Sequence, residues 1–167
     1  RRARGVLSAR PEVDDRRVAL FGISLGAIVG SVTWSVDARP SAGVFLLGGA
    51  NFPELALEGS LSGPFARKMG LKSEELRSAW KDLDPLDYKA ANFGKRALFV
   101  NARSDTVIPY ANALSLKEAF PDSRQMWLPL GHYSAIVHLI WLPRWVSGQL
   151  LEALRDSKNS IKTLRLP

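Results

Sequence analysis

The segment Val18-Ala19-Leu20-Phe21-Gly22-Ile23-Ser24-Leu25-Gly26 constrains the fold more than any other part of the chain. A short apolar run leads into Gly-x-Ser-x-Gly, and a helix-compatible apolar run, Ala27 to Val36, follows at once. A strand that turns this abruptly into a helix holds Ser24 in a strained backbone and lifts its hydroxyl above the sheet edge. There the helix dipole and the free amide of Leu25 face any developing oxyanion. Such a turn leaves no room beside the serine, so Gly22 and Gly26 are both expected to be glycine because a side chain would strike neighbouring backbone. So short a motif recurs by chance, and alone it also fits a glycine-rich turn with a bystander serine.

Its company decides the matter. Arg96-Ala97-Leu98-Phe99-Val100-Asn101-Ala102 reads as a buried parallel strand, and Arg103-Ser104-Asp105-Thr106-Val107-Ile108-Pro109 as the loop after it. Asp105 therefore falls just past the carboxyl end of a strand, on the edge where open α/β sheets build their sites. The plain alternative is a helix N-cap for Tyr110 to Phe120. A further strand, Gln125-Met126-Trp127-Leu128-Pro129, leads into Leu130-Gly131-His132-Tyr133-Ser134, which puts His132 in a loop after a glycine. The other histidine, His138, lies within an apolar helical pattern and reads as a core or helix-flank residue. A serine hydroxyl becomes a useful nucleophile when an imidazole takes its proton, and the imidazole needs a carboxylate to fix its tautomer. Glu54, also beyond a strand on the same edge, is the alternative acid.

The order Ser24, Asp105, His132 resembles that of the α/β-hydrolase superfamily. The likeness is to the carboxyl-terminal half of a dienelactone-hydrolase-like or prolyl-oligopeptidase-like member. It is carried by Arg10-Pro11-Glu12-Val13-Asp14, by Arg17 to Gly26, by Asp84-Pro85, by Asn101 to Pro109 and by Leu130-Gly131-His132-Tyr133. The resemblance implies a parallel, doubly wound sheet with Ser24 as nucleophile, Asp105 as acid and His132 as general base. It also implies ester hydrolysis through an acyl-serine, without metal or organic cofactor. Peptide cleavage is the second reading, and a non-catalytic binding domain of the same fold is the third.

The chain begins without methionine in what reads as the middle of a helix. Relatives of this kind carry several strands before the serine turn, so the expectation is an amino-terminally truncated domain. The loop that supplies the second oxyanion amide would belong to the absent part, and Gly48-Gly49 is not assigned that role. An uncovered first strand would present an open edge, and self-association through it is expected.

One domain spanning 1–167 suits the length and the apolar content of 46%. Strands are expected near 18–23, 42–48, 96–102 and 124–129, with helices near 25–37, 108–120 and 134–155. Pro143 should kink or restart the last helix, and Trp141 and Trp145 should pack on the sheet. The insert 51–87 reads either as a small cap lined by Phe52, Leu55, Leu57, Leu61, Phe65 and Met69 or as plain packing. Within it Gly59 to Pro64 reads as a flexible turn, Ser73-Glu74-Glu75-Leu76 as a helix start, and Asp84-Pro85-Leu86-Asp87 as a turn rather than a catalytic pair.

The net charge of +7 gathers at the two ends, in Arg1, Arg2, Arg4, Arg10, Arg16 and Arg17, then in Arg155, Lys158, Lys162 and Arg165. Aromatic residues are not interleaved with them, so solvated helix faces and a frayed tail are preferred over a nucleic-acid surface. No run is apolar enough to span a bilayer. The absence of cysteine excludes disulfides, thiol nucleophiles and thiolate metal sites, and leaves the compartment open.

Overall fold

A computed structural model describes residues 2–14, 16–140 and 143–155. Four parallel strands form one sheet in the order β1-β2-β3-β4, with β1 Ala19–Ile23, β2 Ala42–Leu46, β3 Ala97–Ala102 and β4 Arg124–Leu128. β2 and β3 are buried at every position, as continuous apolar runs between covered faces require. Helix α1 is Arg2–Ser8; α2, Leu25–Val36, joins β1 to β2. Helices α3 Phe52–Glu58, α4 Gly63–Lys68 and α5 Ser73–Ala79, and a 3-10 turn Pro85–Tyr88, lie between β2 and β3. Helix α6, Tyr110–Ala119, joins β3 to β4, and α7 His132–Ile140 and α8 Pro143–Arg155 follow β4.

The strand alternation sends side chains to two cores. On one face Trp34 of α2 packs against Phe45 and Phe120, and Phe99 against the same two rings, with ring centroids 5.7–6.1 Å apart in stacked, tilted and edge-on pairs. On the other, Val44, Leu46, Leu98, Val100 and Ala102 pack with Ala135 of α7 and with Trp145 and Leu150 of α8. Helices thus cover both faces, the doubly wound arrangement that the alternation of strands and helices implies. β1 pairs only with β2, and among the described residues its outer edge is open.

Several boundaries move. β2 stops at Leu46, short of the expected residue 48, because Leu47 adopts a left-handed φ of 54° that no strand continues. The last helix is two, and Pro143 opens the second, so proline restarts rather than kinks it. The turn at Gly59 is not free: Gly59 is buried, Ser60 N–H donates to Thr106 O at 2.7 Å, and Gly63 already begins α4. Asp84 and Asp87 act as a reciprocal cap on the 3-10 turn, which agrees with their reading as turn residues. Trp145 lies on the sheet; Trp141 and the basic tail beyond Arg155 fall outside the described residues. Arg10, Arg16 and Arg17 are exposed and pair with Glu12 and Asp14. No described helix is long and apolar enough to cross a membrane.

Candidate active site

Ser24 stands between β1 and α2 with φ 52° and ψ −116°, a conformation that costs a non-glycine residue about 1–3 kcal/mol. The strain is held by three backbone bonds. Ser24 N–H donates to Leu46 O of β2 at 2.8 Å, and Ser24 O accepts from Ala27 N–H at 2.9 Å and Ile28 N–H at 3.1 Å. A Cβ on Gly22 would lie 2.2 Å from the carbonyl oxygen of Gly26, so β1 can approach the helix start only as glycine. Gly26 itself departs from expectation. A Cβ there would meet nothing within 4 Å, because the residue faces outward from the first turn of α2. The crowding is one-sided: Gly26 presents the backbone that Gly22 must accommodate.

Leu25 is the first residue of α2, so its amide is one of the donors that the helix leaves without an internal acceptor. It lies next to the Ser24 hydroxyl in sequence and at the positive end of the helix.

Asp105 sits three residues beyond β3, buried. Its Oδ1 accepts from the amides of Val107 (2.9 Å) and Ile108 (2.8 Å), and its Oδ2 faces His132 Nδ1 at 2.7 Å. It does not cap α6, whose N-cap is Pro109; the carboxylate organises its own loop instead. His132 is also buried, and its Nε2 lies 2.9 Å from Ser24 Oγ. With the proton on Nδ1, the imidazole donates to Asp105 and accepts from the serine hydroxyl. His132 opens α7 instead of standing in a loop, since the apolar spacing that builds the helix already includes Ala135 and Ile136. The structure therefore brings Ser24, His132 and Asp105 into one hydrogen-bonded line.

The loops that carry them are tied to one another. Arg103 N–H donates to Leu128 O (2.9 Å) and Ser104 N–H to Leu130 O (3.0 Å), which extends the β3–β4 ladder toward His132. Trp127 of β4 stacks on Tyr110 at 4.4 Å and carries the Arg103 guanidinium 5.9 Å from its ring centre. Both ends of the Asp105 loop thus rest on one indole, a contact that sequence reasoning missed. An aromatic residue in the last strand before His132 was the available signal.

Glu54 lies elsewhere, with its carboxylate on Ser73 Oγ and 3.5 Å from Arg77. His138 is exposed on α7, and its Nδ1 bonds the Ser134 carbonyl at 2.8 Å. Of the cap candidates, Phe52, Leu55 and Leu57 are half-buried, while Leu61, Phe65 and Met69 are exposed. A cavity of about 420 Å³ beside Pro53, Arg77, Trp80 and Asp84 includes none of the Ser24, His132 and Asp105 cluster.

No protein-family model matches the sequence, and no curated protein matches it. Solved structures do match. Pyrococcus horikoshii acylaminoacyl peptidase superposes with a TM-score of 0.75 at 15% identity, over 98% of this chain and 28% of its own. A Mycobacterium tuberculosis puromycin-hydrolyzing peptidase gives 0.70 at 16% identity, over 98% of this chain and 25% of that one. An acetyl xylan esterase from Paenibacillus sp. R4 gives 0.60 at 20% identity, over 88% of this chain and 50% of that one. The chain has the α/β-hydrolase fold, and it spans about a quarter of the peptidases' length and half of the esterase's.

Proposed function

We propose that this chain carries the catalytic end of a serine hydrolase that cleaves a carboxylic ester through an acyl-serine intermediate. The observation behind this reading is the line of contacts from Ser24 Oγ to His132 Nε2 (2.9 Å) and from His132 Nδ1 to Asp105 Oδ2 (2.7 Å), mounted on a strained turn. In the proposed reaction Ser24 Oγ attacks the carbonyl carbon while its proton passes to His132 Nε2. Asp105 holds the ring in register and faces the imidazolium as it forms. The Leu25 amide stabilises the tetrahedral oxyanion. His132 then returns the proton to the departing alcohol oxygen, and a water, deprotonated by the same nitrogen, releases the acid and restores Ser24.

Peptide cleavage is the second reading. It is favoured by the two peptidases, whose TM-scores of 0.75 and 0.70 exceed the esterase's 0.60. In that reaction the leaving group is an amine, and the same proton from His132 becomes more important because an amine leaves poorly without it.

Intact-mass labelling with a fluorophosphonate tests the common core. The parent chain should gain one adduct, and Ser24→Ala and His132→Ala should lose it, with rates down by roughly three orders of magnitude or more. An unlabelled parent chain would remove the reading that these residues assemble a working serine by themselves. Turnover of a nitrophenyl ester against an acyl-peptide nitroanilide then separates ester from peptide chemistry.

A further inference from the structure

The buried loop Leu47-Gly48-Gly49-Ala50 leaves β2 on the site edge and runs between the start of α2 and the Asp105 loop. A Cβ on Gly48 would lie 2.9 Å from Ala27 Cβ, and one on Gly49 would lie 2.8 Å from Ile108 Cγ2. Each neighbour is one hydrogen bond from the relay. Ala27 N–H donates to Ser24 O, and Ile108 N–H donates to Asp105 Oδ1 at 2.8 Å. Neither glycine has a positive φ, so each is there for size rather than for conformational freedom.

The loop is also fixed from behind. Asn101 Nδ2 donates to Gly48 O at 2.8 Å, and Asn101 Oδ1 accepts from Gln125 Nε2 at 3.0 Å. Asn112 Nδ2 donates to Ala50 O (2.9 Å) and Asn51 O (3.1 Å), and Ala50 N–H donates to Asn112 O (3.0 Å). Left-handed backbone at Leu47 (φ 54°) and Asn51 (φ 58°) brackets the loop, strain that persists only where the surroundings over-determine it. A wedge held this firmly transmits a change of thickness to whatever touches its faces.

We propose that Gly48-Gly49 is a spacer that sets the separation between the Ser24 turn and the Asp105 loop, with Gly49 a positioning residue acting on Asp105 through Ile108. Its catalytic consequence rests on the serine-hydrolase reading, but its geometric consequence does not. An added methyl at Gly49 pushes Ile108 and, with it, the amide that holds Asp105 Oδ1. Removing Ile108 Cγ2 makes room for that methyl. The remaining approach, 3.2 Å to Asn112 Cβ, needs a shift of a few tenths of an ångström.

The test is a double-variant cycle of Gly49→Ala and Ile108→Ala, read by the fluorophosphonate rate and by the low-field proton NMR signal of the His132 Nδ1–H to Asp105 bond. Gly49→Ala should slow labelling about tenfold to a hundredfold, with ester KM changed much less than kcat, and should shift or broaden the signal. The double variant should recover most of both. A single variant that fails to fold beside a double variant that folds and labels supports the same contact. Gly49→Ala indistinguishable from the parent chain, or a double variant no better than the single, overturns the spacer. A parent chain that shows the low-field signal without labelling removes the reading that these residues assemble a working serine by themselves, and the spacer is then judged by the NMR signal of the single and double variants. A parent chain with neither the signal nor labelling overturns both.

Discussion

β3 is buried at all six positions and lies between β2 and β4, whereas among the described residues β1 pairs with β2 alone and leaves Phe21 46% exposed. Asp105 hangs from β3 and Ser24 from β1. The carboxylate therefore inherits its place from a packed core, with Phe99 and Val100 just behind it in the chain and the β4 ladder beside it. The serine cannot, because Leu20 and Ile23 of its strand are only partly buried. Its place comes from local stereochemistry: the Gly22–Gly26 approach, the bond to Leu46 O and the first turn of α2. Two sides of one candidate site are thus held by unlike means, one by the core and the other by the backbone.

The contrast is broken most directly by emptying each strand of its aromatic ring. Phe99→Ala should cost about 3–5 kcal/mol of unfolding free energy, since the ring is fully buried between Phe45 and Phe120. Phe21→Ala should change stability by no more than about 0.5 kcal/mol. Urea unfolding of both variants measures the difference, and comparable losses would mean that β1 is covered in solution.

Substitution at the two glycines of the turn sharpens the comparison on the Ser24 side. Gly22→Ala should destabilise by about 1–3 kcal/mol and abolish labelling, because its methyl meets backbone that cannot swing away. Gly26→Ala should leave stability unchanged or raise it by up to about 0.5–1 kcal/mol, since it adds a better helix former in open space. Thermal unfolding together with labelling rates decides it; equal damage at both positions would restore the symmetric crowding read from the sequence.

What could be read in the sequence follows from the same physics. Ser24, Asp105 and His132 were legible because each stands just past a strand, and a local pattern of apolar run, turn residue and chemistry marks such a place. The sheet was legible from continuous apolar segments such as Leu98 to Val100. The symmetric role of Gly22 and Gly26 was misread because the motif shows which residues are small without showing which of them is crowded. The spacer at Gly48-Gly49 was hidden for a different reason. Its faces touch Ala27 and Ile108, and its back is held by Asn101 and Asn112, all distant in sequence. A polar Asn101 inside an apolar strand was the trace it left. Helix starts at His132 and Gly63 were blurred because no side-chain cap marks them: a glycine, Gly131, precedes the first, and Ser62 makes no cap bond before the second.

Lys95 links the two regions and offers the smallest test. It precedes β3, and its Nζ donates to Trp34 O (2.6 Å), Ser35 O (3.2 Å) and Asn92 Oδ1 (3.1 Å). The first two are carbonyls at the end of α2, which has no basic residue in its own last turn. Burial pushes the ammonium below its ordinary value of 10.5, against a weaker pull from Asp37 in the other direction. The native state therefore releases this proton before the unfolded chain does. Between the lowered value and 10.5 the unfolded state binds more protons, so the Lys95 contribution to stability rises with pH across that window and is least favourable below it. Comparison of the parent chain with Lys95→Met isolates the effect, since other groups titrate alike in both. The stability difference should grow in favour of the parent chain as pH is raised toward 10.5. A difference that shrinks instead would mean that attraction to the α2 carbonyls outweighs desolvation, and that the joint between the two regions is electrostatically stronger than its burial implies.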